Sequence, residues 1–423
     1  MSQDACVLLA AGGTGGHLFP AAALAAALKA RGVPVELATD DRALKYGHDF
    51  PARAIHAFPS ATPTGAGALS KASAAATLGL GVAAALAKLG RIRPRAVVGF
   101  GGYPTVPPVV AASLLNIPAA LHEQNAVLGR ANRFLSARVA VIACGFPDLK
   151  GADAGAKAKI RVTGNPVRPA VIEAAATPYP PLAGERLRLL VTGGSQGARV
   201  MADVVPEALA LLTTDERQWI RLTMQARGED KARVAAACAR MSFPVEVAEF
   251  FPDLPARIAA SHLIVGRAGA STVSELAVIG RPSVLVPFPH ALDQDQAANA
   301  AALAASGGAI VVPQQEFTPY RLASILRDGL AAPTKLTASA SLRPLTRTVA
   351  PSRASAKAMA RPMFLPAPVT RAILSCKGSD MDPPDRRTQE HVRCLARDDV
   401  GLERLGFVRR FLEACLHDVS DRH

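Results

Sequence analysis

The sequence predicts an α/β fold in two similar halves, each a parallel, doubly wound sheet. Three observations carry this. Short apolar runs alternate with helix-length stretches through the first 330 residues, the pattern of parallel strands joined by helical crossovers. The first such run, Ala5 to Ala11, breaks into Gly12-Gly13-Thr14-Gly15-Gly16-His17 and restarts as an alanine-rich helical stretch, Leu18 to Ala30. The same order returns at Leu187 to Thr192, followed by Gly193-Gly194-Ser195-Gln196-Gly197-Ala198-Arg199 and another helical run. A strand that ends in glycines and continues as a helix leaves backbone N–H groups pointing out of the turn. The positive end of the helix macrodipole adds to them, so each turn is expected to favour an anion such as phosphate. One copy alone would read equally as a tight turn that binds nothing; the second copy weighs against that.

Taken in order, the first half offers strands at Val33 to Thr39, Ile55 to Phe58 and Ala96 to Phe100, the last running into Gly101-Gly102-Tyr103-Pro104-Thr105. Ala119 to Leu121 leads into His122-Glu123-Gln124-Asn125, and Val139 to Cys144 and Ile160 to Gly164 complete the set. Between them, Ala72 to Ala87 is uncharged and bracketed by Lys71 and Lys88. It falls short of the ~20 residues a spanning helix needs. It is either a core helix or a helix lying on a bilayer, with Lys71, Lys88, Arg91, Arg93 and Arg95 near anionic headgroups. Asn165-Pro166-Val167-Arg168-Pro169 is a hinge, because two prolines bar helix and restrict the residues before them. The expected domains are therefore 1–165 and 166–330. Strands of the second half are expected at Leu187 to Thr192, Ile220 to Met224, Val245 to Phe250, Leu263 to Val265, Pro282 to Val286 and Ala309 to Val312.

The polar clusters fall at strand ends, where open α/β sheets bind ligands, which points to one site assembled from several loops. Neither glycine loop has the dinucleotide spacing G-x-G-x-x-G, and neither is followed by Gly-Lys-Ser/Thr, so nicotinamide and ATP chemistry lose ground. In Gly266 to Leu276 a helix is expected to begin near Ser271, with Ser271 or Thr272 as capping hydroxyl and a phosphate at its free N–H groups. Glu275 either accepts a ribose diol or only complements the helix dipole. Pro287 to Gln296, with Asn299 beyond, gathers carboxylates and amides that suit sugar hydroxyls, as a solvated turn also would.

At 423 residues, half of them apolar, the chain has ample material for two cores and a further segment. A formal charge of +14 suits an anionic partner: nucleotide, acidic lipid surface or nucleic acid. The aromatic content of 4% disfavours the last, since base stacking needs rings, and no nucleic acid is expected. Six scattered cysteines without zinc-type spacing fit a reducing cytoplasm, and the N-terminus enters a strand without a secretion-signal pattern.

GGTGGH-x-x-P, GGY after a strand, HEQN, GNPVR, GGSQGA, G-A-x-T-V-S-E and PF-x-H…D-x-x-Q-x-x-N follow one another over roughly residues 5 to 320. This series closely resembles the MurG family of N-acetylglucosamine transferases. The resemblance implies a GT-B fold, two Rossmann-like domains facing a cleft, working peripherally at the cytoplasmic face of a bacterial inner membrane. It implies UDP-N-acetylglucosamine as donor, the undecaprenyl-linked muramyl pentapeptide (lipid I) as acceptor, and lipid II for peptidoglycan as product. Carried over by motif, Thr14, Gly15 and Gly16 line the donor site from the first loop, Asn125 contacts sugar, and Arg168 and Ser195 belong to the same site. Phe251 matches the residue whose backbone meets uracil. Ala270, Ser271, Thr272, Val273, Ser274 and Glu275 cover phosphates and ribose, and Gln296 meets sugar hydroxyls. Asp295 departs from the pattern, where many relatives carry a second glutamine.

Inverting transfer needs a base for the acceptor hydroxyl and stabilisation of charge on departing UDP. His17 is the favoured base, because an unshifted imidazole titrates at about 6.5. Glu123 is a second catalytic candidate and a rival for the base, and His122 is a further rival. Glycine-loop amides, the helix start near Ser271 and Arg168 are expected to stabilise the charge on UDP, so neither metal nor other cofactor is expected. A UDP-N-acetylglucosamine epimerase of the same architecture and a non-catalytic nucleotide-sugar or membrane scaffold are the alternatives. The segment 331–423 fits none of this: residues 331–372 carry seven Lys/Arg and no acid, a composition poor at building a core. It is expected to be atypical and disordered, either foreign to the fold through a frameshift near Ala332 to Lys335 or a membrane-binding extension.

Overall fold

The computed structural model describes residues 6–12, 15–41, 50–62, 67–181, 184–194, 197–241, 243–289, 291 and 295–331. Thr14, Ser195 and the segment from 332 onward lie outside the described residues.

The first sheet contains β1 (Val7–Ala10), β2 (Val35–Thr39), β3 (Ala54–Ala57), β4 (Ala96–Gly99), β5 (Ala119–Glu123), β6 (Val141–Cys144) and β7 (Ile160–Val162). The second contains β8 (Leu187–Thr192), β9 (Ile220–Gln225), β10 (Val245–Ala248), β11 (Leu263–Gly266), β12 (Ser283–Leu285) and β13 (Ala309–Val311). Their spatial orders are β3-β2-β1-β4-β5-β6-β7 and β10-β9-β8-β11-β12-β13, all parallel among the described residues. The winding is the same in both: the chain moves outward one way from the first strand, then restarts beside it and moves the other way. Val7 therefore pairs with both Val35 and Ala96, and Leu189 with both Leu222 and Leu263. Loops after the two central strands part in opposite directions, which opens a crevice at the carboxyl edge.

Helices α1 (Gly15–Ala30), α2 (Ala68–Ile92), α3 (Val106–Leu114), α4 (Arg130–Leu135), α5 (Ala154–Lys159) and α6 (Pro169–Ala175) belong to the first half and the hinge. In the second half come α7 (Arg199–Ala210), α8 (Thr214–Gln218), α9 (Gly228–Ala239), α10 (Leu254–Ala259), α11 (Ala270–Ile279), α12 (Asp295–Ala305) and α13 (Pro319–Ala331). Strands β1, β4, β5 and β6 are buried throughout, as expected where helices cover both faces of a parallel sheet. The edge strand β3 alternates half-buried and exposed residues. Arg281, itself buried, donates to the Ala259, Ile279 and Gly280 carbonyls, so one guanidinium serves the negative ends of α10 and α11. It also bonds the Thr177 and Pro178 carbonyls of the segment after α6, tying that segment to the second half.

Helix α2 corrects the expectation of a 16-residue apolar stretch: it runs for 25 residues, long and apolar enough by length and composition to cross a membrane. Only Ala74, Gly81, Ala85 and Leu89 are buried, a narrow stripe at near-heptad spacing. Gly81 docks it, since a Cβ there would lie 2.1 Å from the Pro59 carbonyl oxygen. Leu69 and Leu80 on the remaining surface are 88% and 68% exposed, so the helix is not the core helix that one sequence reading allowed.

Candidate active site

The first glycine turn delivers His17 one turn into α1. A carbonyl can only accept, so the 3.2 Å contact to Gly12 makes His17 Nδ1 the donor and leaves Nε2 with its lone pair. Nε2 faces the Gly101-Gly102 loop after β4. Both glycines have positive φ, and a Cβ on either would approach the imidazole to 3.3–3.4 Å, so this loop lies against the ring as only glycine can. Burial lowers the His17 pKa, partly opposed by the Gly12 carbonyl, which leaves the ring neutral near pH 7.

The two rivals for the base are both committed elsewhere. His122 is buried, stacks on Phe100, and donates from Nε2 to the Gly164 carbonyl while Nδ1 accepts from Gln124. Burial pushes its pKa down to about 4. Glu123 is buried and accepts on both oxygens: Oε1 from the Asn125 amide and side chain, Oε2 from the Gly129 amide and Asn132 Nδ2. Burial raises its pKa and these donors pull it back. Its geometry is that of a carboxylate organising the loop 124–129, with no oxygen left to take a proton from a substrate.

Several residues expected to touch substrate also join the two halves. Arg168 pairs with Glu275 (2.9 Å), and its guanidinium lies 4.7 Å from the ring centre of Phe19 in α1. Glu275 is buried, which raises its pKa against the pull of Arg168. Asn165 Nδ2 donates to the Gln124 carbonyl and to Ser274 Oγ, and Ser274 Oγ–H in turn reaches the Ala270 carbonyl. Asn299 accepts from the Ala126 amide and donates to Asn125 Oδ1 and the Ala268 carbonyl. Asn125 thus spends its side-chain oxygen on Asn299.

Alongside these ties, α1 and α11 are in contact. The N-cap of α11 is Gly269, without a side-chain hydrogen bond, which corrects the expectation of a Ser271 or Thr272 cap. Val273 N–H is the first to bond back into the helix, so the amides of Ala270, Ser271 and Thr272 are outside its ladder. Ser271 Oγ is buried without a partner. Val273 itself points into the core and can offer a ligand nothing from its side chain. Gly15 and Gly16 open α1 in the same way, with Phe19 packed over Gly15. Gln296 Oε1 accepts from the Ala268 and Phe288 amides, holding the α11 and α12 loops together. The Phe251 side chain is buried beneath Arg257, which leaves its backbone as the group it can present.

The chain matches the glycosyltransferase family 28 N-terminal domain over residues 7–144 and the family 28 C-terminal domain over 188–350. A Methylobacterium nodulans UDP-N-acetylglucosamine--N-acetylmuramyl-(pentapeptide) pyrophosphoryl-undecaprenol N-acetylglucosamine transferase is 57% identical over 338 residues, 79% of this chain and 91% of that relative. The transferase of the same name from Sinorhizobium fredii is 54% identical over 331 residues, 78% and 88% of the two chains. The crystal structure of Acinetobacter baumannii MurG superposes with a TM-score of 0.63 at 29% identity, covering 82% of this chain and 98% of that one. The chain belongs to the MurG family. Both sheets and their shared winding agree with the two-domain GT-B fold of that family. A UDP-GlcNAc 2-epimerase from Neisseria meningitidis is also similar, with a TM-score of 0.56 at 14% identity, a likeness of fold alone. The epimerase alternative is therefore not favoured.

In this MurG-family site, sequence reasoning gave Asn132 no role, read Asn165 only as part of the hinge, and read Asn299 as facing sugar hydroxyls rather than as a clasp between halves. All three are buried polar side chains, a class retained only when hydrogen-bonded, but which partners they take depends on residues up to 174 positions away.

Proposed function

We propose that the chain moves N-acetylglucosamine from UDP-N-acetylglucosamine to the 4-hydroxyl of the muramyl sugar of lipid I, with inversion, giving lipid II. The identity of more than half to transferases of that name, over nine-tenths of the Methylobacterium relative, carries this reading. The geometry supports a division of labour. The first-turn amides of α11 and the buried, unpartnered Ser271 hydroxyl suit the diphosphate, with the opening of α1 opposite. Ribose hydroxyls compete for the Glu275 carboxylate, which frees Arg168 to meet charge building on the leaving UDP. Thr14 and Ser195 belong to the two glycine-rich motifs and are assigned to the donor on that ground alone, and Gln296 and Asn125 border the sugar. His17 Nε2 takes the proton of the acceptor hydroxyl as it attacks the anomeric carbon; the C–O bond to UDP breaks as the new one forms. Domains divide at 165/166, the acceptor served by the first and the donor chiefly by the second.

Labelled donor and a short-chain lipid I analogue test the reading. Transfer with formation of one disaccharide product is expected; release of free N-acetylmannosamine without acceptor, or donor binding without transfer, overturns it.

The enzyme works at an anionic lipid surface on the cytoplasmic side of the inner membrane. Support comes from the exposed Leu69 and Leu80 of α2, with Leu114 of α3 and Phe134 of α4 exposed on helices packed in series with it. Lys71, Lys88 and Arg91 lie on α2, with Arg93 and Arg95 just beyond its end, and Arg138 lies 4.9 Å from the centre of the Phe134 ring. Cosedimentation with phosphatidylglycerol vesicles is expected, weakened by 0.5 M salt and reduced about tenfold or more by the double substitution Leu69→Ser/Leu80→Ser, given a cost of roughly 1.5–3 kcal/mol per apolar side chain left in water. Equal recovery with purely zwitterionic vesicles would sink the electrostatic part.

A further inference from the structure

Gln225, the last residue of β9, lies between the loops that follow β8 and β10, since β9 is flanked by those strands. Its Oε1 accepts from Thr192 Oγ1 (2.8 Å) and from the Gly193 amide (3.3 Å), at the start of the second glycine loop. Its Nε2 donates to the Glu249 carbonyl (3.1 Å), immediately before Phe250-Phe251. Thr192 is buried, and its hydroxyl also accepts from the Gly194 amide, so the contact is passed into the loop. The far end of that loop is held by the same β9–α9 turn: Gly197 has φ of 69°, and a Cβ there would lie 2.5 Å from Arg227 Cγ. Inside the loop, a Cβ on Gly193 would meet the Ala198 nitrogen at 2.3 Å. Gly193 and Ala198 are thus close-packed, and one amide side chain connects Thr192 and Gly193 to the backbone beside Phe251.

We propose that Gln225 is a positioning residue that sets the span between residues 192–194, where the second glycine loop begins, and the segment 249–251, and through that span the affinity for the nucleoside diphosphate. This rests on the reading that those two loops meet the phosphates and the base of the donor. A primary amide is the side chain that fits, because one end must accept from N–H and O–H and the other must donate to a carbonyl. Glutamate keeps the first function and loses the second; leucine loses both; Thr192→Val removes the hydroxyl link alone.

The test is calorimetry of UDP and of uridine with the full chain, alongside steady-state kinetics for donor and acceptor. The parent chain is expected to bind UDP. Gln225→Leu is expected to weaken UDP at least tenfold and raise donor KM in parallel, while uridine affinity and acceptor KM change less than threefold. Gln225→Glu and Thr192→Val are expected to weaken UDP about threefold each. A residue that only stabilised the fold would lower the melting temperature without separating UDP from uridine. Gln225→Leu with UDP affinity within twofold of the parent overturns the proposal; should that variant not fold, unchanged UDP affinity in both Gln225→Glu and Thr192→Val does so. A parent chain that fails to bind UDP overturns the donor-site reading together with the proposal, so the two failures are told apart.

Discussion

Replacing His17 with alanine is expected to lower kcat by about 10²- to 10⁴-fold, the range a positioned general base contributes, with donor affinity changed less than threefold. The expectation follows from the tautomer. Nδ1 is fixed as donor by the Gly12 carbonyl, and Nε2 is left as the lone-pair nitrogen against the Gly101-Gly102 backbone. Because burial lowers its pKa, the ring is already mostly neutral at about pH 6.5, the ordinary midpoint. The acid limb of the kcat/KM profile is therefore expected below that pH, with activity lost as pH falls through the lowered pKa and the ring becomes charged. His17→Ala should remove the limb along with the rate. His17→Asn separates catalysis from support: asparagine can donate to the Gly12 carbonyl, yet it cannot take a proton. If the residue only braced the glycine loop, asparagine would restore most of the rate; as a base it should leave the enzyme as slow as alanine does. An acid limb well above pH 7 in the parent would also contradict the assignment.

The strands were legible because parallel strands covered on both faces must be apolar runs. The strand ends were legible for the complementary reason: Gly101-Gly102, His122 to Asn125 and Gly266 to Glu275 are polar or glycine-rich where the sheet stops. Direction of a side chain was not legible. Glu123 and Glu275 both read as carboxylates ready for a ligand, and both are buried against protein partners supplied by distant segments. The extent of α2 was missed for a different reason: counting uncharged residues stops at Lys71 and Lys88, but long lysine stems let a charge sit on an apolar helix. The α11 cap was misread because a serine after glycine resembles a capping hydroxyl, whereas the helix begins one residue earlier and Gly269 takes the cap position. Strand β10 ends at Ala248 rather than Phe250, since the Glu249 carbonyl has left the sheet for Gln225.

Glu123→Gln is expected to cost about 3 kcal/mol of stability although the two side chains have nearly the same shape. Each carboxylate oxygen accepts two hydrogen bonds, from Asn125 on one side and from Gly129 and Asn132 on the other. An amide can place its oxygen on only one side. Its NH₂ then faces two donors, and buried donors that lose an acceptor forfeit their hydration without replacement, at roughly 1–3 kcal/mol each. The consequence reaches beyond one loop. Asn125 and Ala126 are the residues that Asn299 clasps from the second half, so a loosened 124–129 loop weakens the contact between halves as well. The expected signature is a lower denaturation midpoint and a reduced kcat with the acid limb of the pH profile still in place, because that limb belongs to His17. Were Glu123 the proton acceptor, the opposite pattern would appear: an unchanged midpoint, and loss of rate together with the limb. Denaturant titration and a pH–rate profile of the same purified variant distinguish the two outcomes.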